Sequence, residues 1–299
     1  MDMDRTEWLK ARKKGVGASD ISSLAGVNPW KSAFDVYLDK TSEEINEFSN
    51  QFTHWGNILE PIVADEFGRV MKAQIKAPPL PIMSLADHPH IMASLDRIAI
   101  MPDGEEVVVE VKTTGSRNAI KWGEEMTDQI PIQYLVQVHY QMGISGHKTA
   151  YVPVLIDTSD FRIYRVDRDE DVIKHLQDIA HEFWARVTNR NPPSPDTSTK
   201  SGREFVKKFK SITGKSVDLP MESITLLHTY LDEKKKEETA ARLKEQAQAD
   251  LILMMGDAEV GRFPSGGAIE RKVIERKESV VKASSYYKTS FKLSEKEEY

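Results

Sequence analysis

SLDRIAIMPDGEEVVVEVK, residues 94–112, holds two β-rich runs on either side of a turn. Ile91 to Ile100 and Glu106 to Lys112 are rich in β-branched and aliphatic residues, which favour strands. Pro102-Asp103-Gly104 between them has turn chemistry, so the stretch is expected to fold as a hairpin. Side chains alternate faces along a strand, which puts Glu110 and Lys112 on one face and Val111 on the other. Asp96, on the neighbouring strand, then comes within side-chain reach of Glu110.

Two carboxylates forced together repel as a double anion. A hard divalent cation with oxygen ligands, Mg²⁺ or Mn²⁺, relieves that repulsion. An ammonium beside them, here Lys112, can orient a water and stabilise charge growing on a phosphate oxygen. That is the physical content of metal-assisted phosphodiester hydrolysis. The plainer reading is an exposed strand face with a Glu–Lys pair of little energetic weight. Glu-x-Lys is common, so the functional reading depends on its neighbours.

Glu60 sits in an otherwise apolar helical stretch, HWGNILEPIVADEF (54–67), where a charge needs a reason; a surface Glu ahead of Pro61 is the alternative. The pattern predicts a helix over His54–Val70, with Pro61 placed best in a first turn. A further helix is expected over Pro131–Gly143, carrying Gln137 with Tyr134 and Tyr140 a turn to either side. An amide and two phenols can hold a water, a phosphate or a base, or can simply pack. Arg12 and, seven residues on, Ser19 beside a helix start form either an anion pocket or a capped helix. The basic run Lys10, Arg12, Lys13, Lys14 either tracks a nucleic-acid backbone or is a solvated helix end.

Strands over Lys148–Ile156 and Asp160–Val166 and an amphipathic helix over Asp169–Asn189 complete a mixed α/β pattern without regular βαβ repetition. Residues 1–190 are thus expected to form a core, 191–202 (NPPSPDTSTKSG) an exposed linker, and 203–299 a C-terminal extension. The extension reads as a long helix, Met221–Met255, stopped by Gly256, and a hairpin over Ala258–Lys282. Tyr286, Tyr287 and Phe291 in the tail are candidates for a small partner patch, with a mobile tail as the alternative.

The 299 residues include 41 Lys and Arg against 47 Asp and Glu, and no cysteine. Absence of cysteine excludes disulfides, thiolate zinc sites, iron–sulfur clusters and thiol nucleophiles, and fits a reducing cytosolic compartment. No apolar run is long enough to cross a bilayer, and Met1–Lys14 lacks the apolar stretch of a secretory signal. A net charge of −6 argues against bulk-charge coating of nucleic acid. Residues 203–299 carry 19 Lys and Arg against 17 Asp and Glu, so the acidic excess lies in the segment holding the candidate carboxylates.

Taken together, Arg12-x6-Ser19, Glu60, Leu95-Asp96, Glu110-Val111-Lys112 and Gln137-x2-Tyr140 resemble, in order, the YqaJ-type viral recombinase nucleases. That family stands with phage lambda exonuclease in the PD-(D/E)XK superfamily. The likeness lies in RKKGVGASDISSLAGVNPW, GNILEPIVADEF, SLDRIA, VEVKTT and QYLVQVHYQMGISG, spanning about residues 5–160. It implies a restriction-endonuclease-like α/β core with a mixed central sheet flanked by helices. It also implies Mg²⁺-dependent (or Mn²⁺-dependent) 5′→3′ digestion of one strand of linear duplex DNA, in phage recombination.

By position, the resemblance makes Asp96, Glu110 and the Val111 carbonyl the metal ligands, Glu60 a further one directly or through water, and Lys112 the group that activates or positions the attacking water. Gln137 orients the nucleophile or the scissile strand; Arg12 and Ser19, with Tyr140, bind the DNA and its 5′-phosphate. A further phosphate-contacting hydroxyl is expected in the loop after Asp96, and MPDGEE supplies none. Duplex DNA ends, a phage single-strand annealing protein and copies of the chain in a trimeric ring are the implied partners, in the cytoplasm of a bacterial host. A non-catalytic DNA-end-binding adaptor, or an endonuclease or resolvase on the same fold, are the alternatives.

Overall fold

The computed structural model describes residues 4–44, 50–207 and 216–271. The chain divides into two compact units, Met1–Lys208 and Phe209–Tyr299.

In the first unit, helices α1 (Arg5–Arg12), α2 (Ala18–Leu24), α3 (Ala33–Thr41) and α4 (Gln51–Met71) come first. Short strands follow: β1 (Gln74–Lys76), β2 (Met83–Ser84), β3 (Met92–Ala93), β4 (Arg97–Ile100), β5 (Glu106–Val109) and β6 (Lys112–Thr114). Then come α5 (Ile132–Ser145), β7 (Thr149–Ile156), β8 (Asp160–Asp167), α6 (Glu170–Thr188) and α7 (Lys200–Val206).

The sheet runs β1–β4–β5–β7, with β8 on the far side of β7. It is mixed: β5 and β6 are parallel to β7, and the other pairs are antiparallel. Val109 faces Tyr151 and Lys112 faces Val154, the same offset, so β5 and β6 are one strand interrupted at Glu110-Val111. The β4–β5 hairpin turns at Gly104, whose φ of 91° suits glycine. The expected strand Ile91–Ile100 is broken at Ser94–Asp96, because β3 pairs with β2 and β4 with β5. The chain must change partner between them.

Alternation along β5 distributes the core. Val107, Val109 and Val111 face Val63, Ala64 and Phe67 of α4. Val108 faces the opposite layer, with Val138 and Met142 of α5 and Ile173 of α6. A third cluster, including Ile21, Val36, Tyr140, Leu176 and Phe183, joins α2 and α3 to α5 and α6. Pro61 lies inside α4 rather than in its first turn. The helix starts at Gln51, where Asn50 caps it by accepting the Thr53 N–H at 2.8 Å. The missing Pro61 N–H leaves only the Asn57 carbonyl without its helical donor.

The first unit extends past the expected 191–202 linker. Thr199 caps α7 by accepting the Gly202 N–H at 3.1 Å, and Phe205 meets the Phe34 ring edge-on at 4.7 Å between centroids. In the second unit, α8 (Glu222–Met255) has 34 residues. Gly256 ends it, and β9 (Val260–Arg262) pairs antiparallel with β10 (Ala268–Glu270). Tyr286, Tyr287 and Phe291 lie outside the described residues. No described helix is long and apolar enough to cross a membrane.

Candidate active site

The interrupted strand and the broken hairpin meet at the carboxylates. Extending the Arg97–Val109 pairing by one residue sets Asp96 opposite Glu110. Glu110 is on the α5 side and 3% exposed. Its Oε1 accepts from Lys112 Nζ at 2.5 Å and from Gln137 Nε2 at 2.6 Å, and its Oε2 accepts from Gln141 Nε2 at 2.6 Å. The Asp96 Oδ2 accepts the Val111 N–H at 2.9 Å, a donor freed by the strand break.

Enclosure pushes the Asp96 carboxyl well above its usual range, and the charges of Glu110 and Glu60 push it the same way; Lys112 and the Val111 N–H offset this only in part. Lys112 is raised: its burial favours the neutral amine, but Glu110 and Asp96 outweigh it. It is therefore an ammonium, suited to orienting water and stabilising anionic charge rather than to accepting a proton. Its Nζ also lies 4.7 Å from the Tyr134 ring centre and 3.4 Å from Gln137 Oε1.

Glu60 does not join the pair directly. Arg97 Nη1 takes its Oε1 at 2.8 Å and the Asp96 carbonyl at 2.5 Å, holding the α4 carboxylate against the start of β4. Among the described residues no three His, Asp or Glu side chains close into a metal-binding group. Asp96 and Glu110 thus adjoin directly, and Glu60 is held beside them by an arginine. The Val111 side chain is buried against α4, and its N–H is spent on Asp96.

The second half of the site comes from the N-terminal helices. Arg12 Nη2 donates to Ser19 Oγ at 2.5 Å, and its guanidinium lies 4.6 Å from the Trp8 ring centre. Below them, Asp20 is buried; its Oδ2 accepts the Gly17 N–H at 3.1 Å and pairs with Lys40 Nζ at 2.7 Å. Lys40 also donates to the Arg12 carbonyl at 2.8 Å, fixing the turn between α1 and α2. Burial alone would raise the Asp20 carboxyl, but Lys40, Lys31 and Arg12 together hold it well below the usual range. Lys13 is spent on the end of α3, donating to the carbonyls of Asp39, Ser42 and Glu44, so it does not continue a basic track.

One cavity of about 160 Å³ joins both halves: Arg12, Ser19, Ser94, Asp96, Glu110 and Gln137 all line it. Tyr140 does not. It is fully buried in the helical core, donating to the Val16 carbonyl at 3.3 Å, and burial raises its phenol. A DNA contact through Tyr140 is excluded by this burial. Ser94 and Gln141 are site residues that the sequence reading passed over. Ser94 places a hydroxyl-bearing side chain before Asp96, where the loop after it has none. Gln137 and Gln141, one turn apart on α5, both turn to Glu110 at the sheet.

The donor set fits a hard divalent cation: two adjoining carboxylates, one in a position that resists ionisation without a neighbouring positive charge. In chelator, Asp96→Asn should melt above the wild type, by on the order of 1 kcal/mol, because it removes the like-charge and desolvation cost while keeping an acceptor for Val111. Millimolar Mg²⁺ should raise the wild-type melting temperature and leave the variant unmoved. A variant that melts below the wild type in chelator would contradict the strained pair.

The fold is the restriction-endonuclease-like α/β fold: a mixed sheet flanked by helices, with acidic residues at its strand breaks. Residues 7–148 match the family model of the YqaJ-like viral recombinase domain. The uncharacterized protein YqaJ of Bacillus subtilis (strain 168) is 29% identical over 302 residues, covering 99% of this chain and 92% of that protein. The crystal structure of an alkaline exonuclease (LHK-Exo) from Laribacter hongkongensis superimposes with a TM-score of 0.51 at 17% identity, over 62% of this chain and 94% of that one. The same enzyme in complex with dAMP gives a TM-score of 0.50 at 17% identity, with the same coverage.

Proposed function

We propose that this chain is a Mg²⁺-dependent 5′→3′ exonuclease that digests one strand of linear duplex DNA, leaving 3′ single-stranded overhangs for phage recombination. The observation that carries the reading is the shared cavity: the Asp96–Glu110 pair, with Lys112 bonded to Glu110 behind it, and the Arg12–Ser19 pair line one space. An exonuclease must hold a terminal phosphate and a scissile phosphodiester at once, and these two groups have the chemistry for one each. The fold likeness to an alkaline exonuclease supports the same reading.

Asp96 and Glu110 would hold the cation, with the Val111 carbonyl and, through water, Glu60 as further oxygen donors. Mg²⁺ bound there supplies Lewis-acid polarisation of the phosphoryl oxygen and lowers the pKa of a water. The chain's own groups do the rest. Lys112 Nζ orients the attacking water and stabilises the phosphorane charge. Gln137, bonded to Glu110 and beside Lys112, keeps carboxylate and ammonium in register. Arg12 meets the 5′-phosphate with its guanidinium, and Ser19 and Ser94 offer hydroxyls to the same anion.

Arg12→Ala is expected to cut the preference for 5′-phosphate over 5′-hydroxyl ends by about 10–100-fold, the weight of one charge-assisted contact. Initial rates on the two substrates measure it; an unchanged ratio would remove Arg12 from the phosphate pocket. Time-resolved digestion of end-labelled linear duplex tests the function as a whole. The expected result is Mg²⁺-dependent loss of the 5′ label first, with closed circles left intact. Cleaved circles would favour an endonuclease or resolvase, and Mg²⁺-independent binding without product a DNA-end adaptor. A ring of copies, a phage annealing protein as partner and a host-cytoplasm location belong to the same proposal.

A further inference from the structure

We infer that Gln141 is a positioning residue that fixes the Asp96–Glu110 spacing from α5 and thereby sets the cation affinity of the site. The inference rests on the nuclease reading above for the identity of the ligand, a hard divalent cation. Gln141 is wholly buried. Its Nε2 donates to Glu110 Oε2 at 2.6 Å and to the Ser94 carbonyl at 3.1 Å. Ser94 lies in the break between β3 and β4, two residues before Asp96; Glu110 lies in the break between β5 and β6. One amide group therefore ties the two broken strands together where each presents its carboxylate.

The geometry leaves the amide one orientation. Both Nε2 protons meet acceptors; turned over, the amide oxygen would face two oxygens. A free Glu carboxylate rotates broadly about its last torsion. With Gln137 on Oε1 and Gln141 on Oε2, that rotation is blocked from the same helix. The donors are also neutral. They orient Glu110 without cancelling the charge that a cation needs, which a lysine at 141 would do.

The amide carries a cost of its own. Gln141 Oε1 is buried with no hydrogen-bond partner among the described residues, a cost that an apolar side chain of similar volume would not carry. Its helix neighbours Val138 and Met142 are core residues, so methionine suits the position. An amide with an orphaned oxygen is accounted for by the two contacts of its nitrogen.

The test is calorimetric titration of the full chain with Mg²⁺ alone, for the wild type, Gln141→Met and Gln141→Asn. The asparagine variant keeps an amide but withdraws it by one methylene, and it carries the test should the methionine variant not fold. Expected are Mg²⁺ affinities about 10–100-fold weaker, as for lost partners of a metal ligand. Binding of a 5′-phosphorylated duplex end in chelator should stay at the wild-type level, since Gln141 does not line the cavity that holds Arg12 and Ser19. Variant affinities matching the wild type would overturn the positioning role alone. A wild-type chain that binds no Mg²⁺ would overturn both the role and the nuclease reading.

Discussion

Glu110→Ala is expected to slow the Mg²⁺-dependent degradation of linear duplex DNA by about 10³-fold or more, the scale of losing a charge that holds the electrophilic centre. Glu110 is the hub of the site, accepting from Lys112, Gln137 and Gln141. Its removal takes away a cation ligand and leaves the Lys112 ammonium and two amides without their shared acceptor. Lys112→Met should cost about 10²–10⁴-fold while leaving Mg²⁺ binding intact, since its part is played on the water and the developing phosphate charge. Single-turnover rates on a 5′-phosphorylated duplex, read beside Mg²⁺ titrations, separate the two effects. Near-wild-type turnover by either variant would sink the assigned roles.

Lys40→Met is the second large effect, and it falls on stability. The substitution leaves the buried Asp20 carboxylate with Lys31 at 3.5 Å, the Gly17 N–H and the Arg12 charge, but without its 2.7 Å partner. Breaking one side of a buried pair costs about 3–5 kcal/mol. The sign of the pH dependence follows from the depressed Asp20 carboxyl. Its contribution is complete above the ordinary carboxylate pKa of 3.8 and is lost as the pH falls through the lower folded-state value. In Lys40→Met the folded-state value moves up toward the ordinary one, so this acid loss should shrink and the gap between variant and wild type should narrow as the pH falls. Denaturant melts from neutral to acid pH measure both; a variant as stable as the wild type would show that the pair carries no structural weight. Replacing Asp20 as well, by leucine, should recover much of the deficit. Lys40 also holds the Arg12 carbonyl, so the variant should weaken end binding too.

The hairpin was legible because EVVVEVK alternates cleanly and Pro102-Asp103-Gly104 fixes where the strands turn. From that register, Asp96 opposite Glu110 and Lys112 beside it could be read directly. Arg12 with Ser19 was also legible, since seven residues span one short turn between two helices. Other features depend on tertiary partners. Nothing in Ile91–Ile100 marks a break, because the break comes from β3 and β4 pairing with different strands. The ion pair of Glu60 with Arg97 joins two elements whose approach no local pattern marks. Tyr140 and Gln141 differ by one helical step of about 100°, which turns the first into the core and the second onto Glu110. Lys13 fits neither reading of the basic run, because the carbonyls it binds lie some 30 residues on, as in its bond to Ser42 at 2.9 Å.

The assignment depends most on a divalent cation bound by Asp96 and Glu110 beside the Lys112 ammonium. Anomalous diffraction from crystals grown with Mn²⁺ addresses this directly. The expected result is a manganese peak touching both carboxylates and absent in Asp96→Asn. A peak elsewhere in the chain, or none at saturating Mn²⁺, would contradict it.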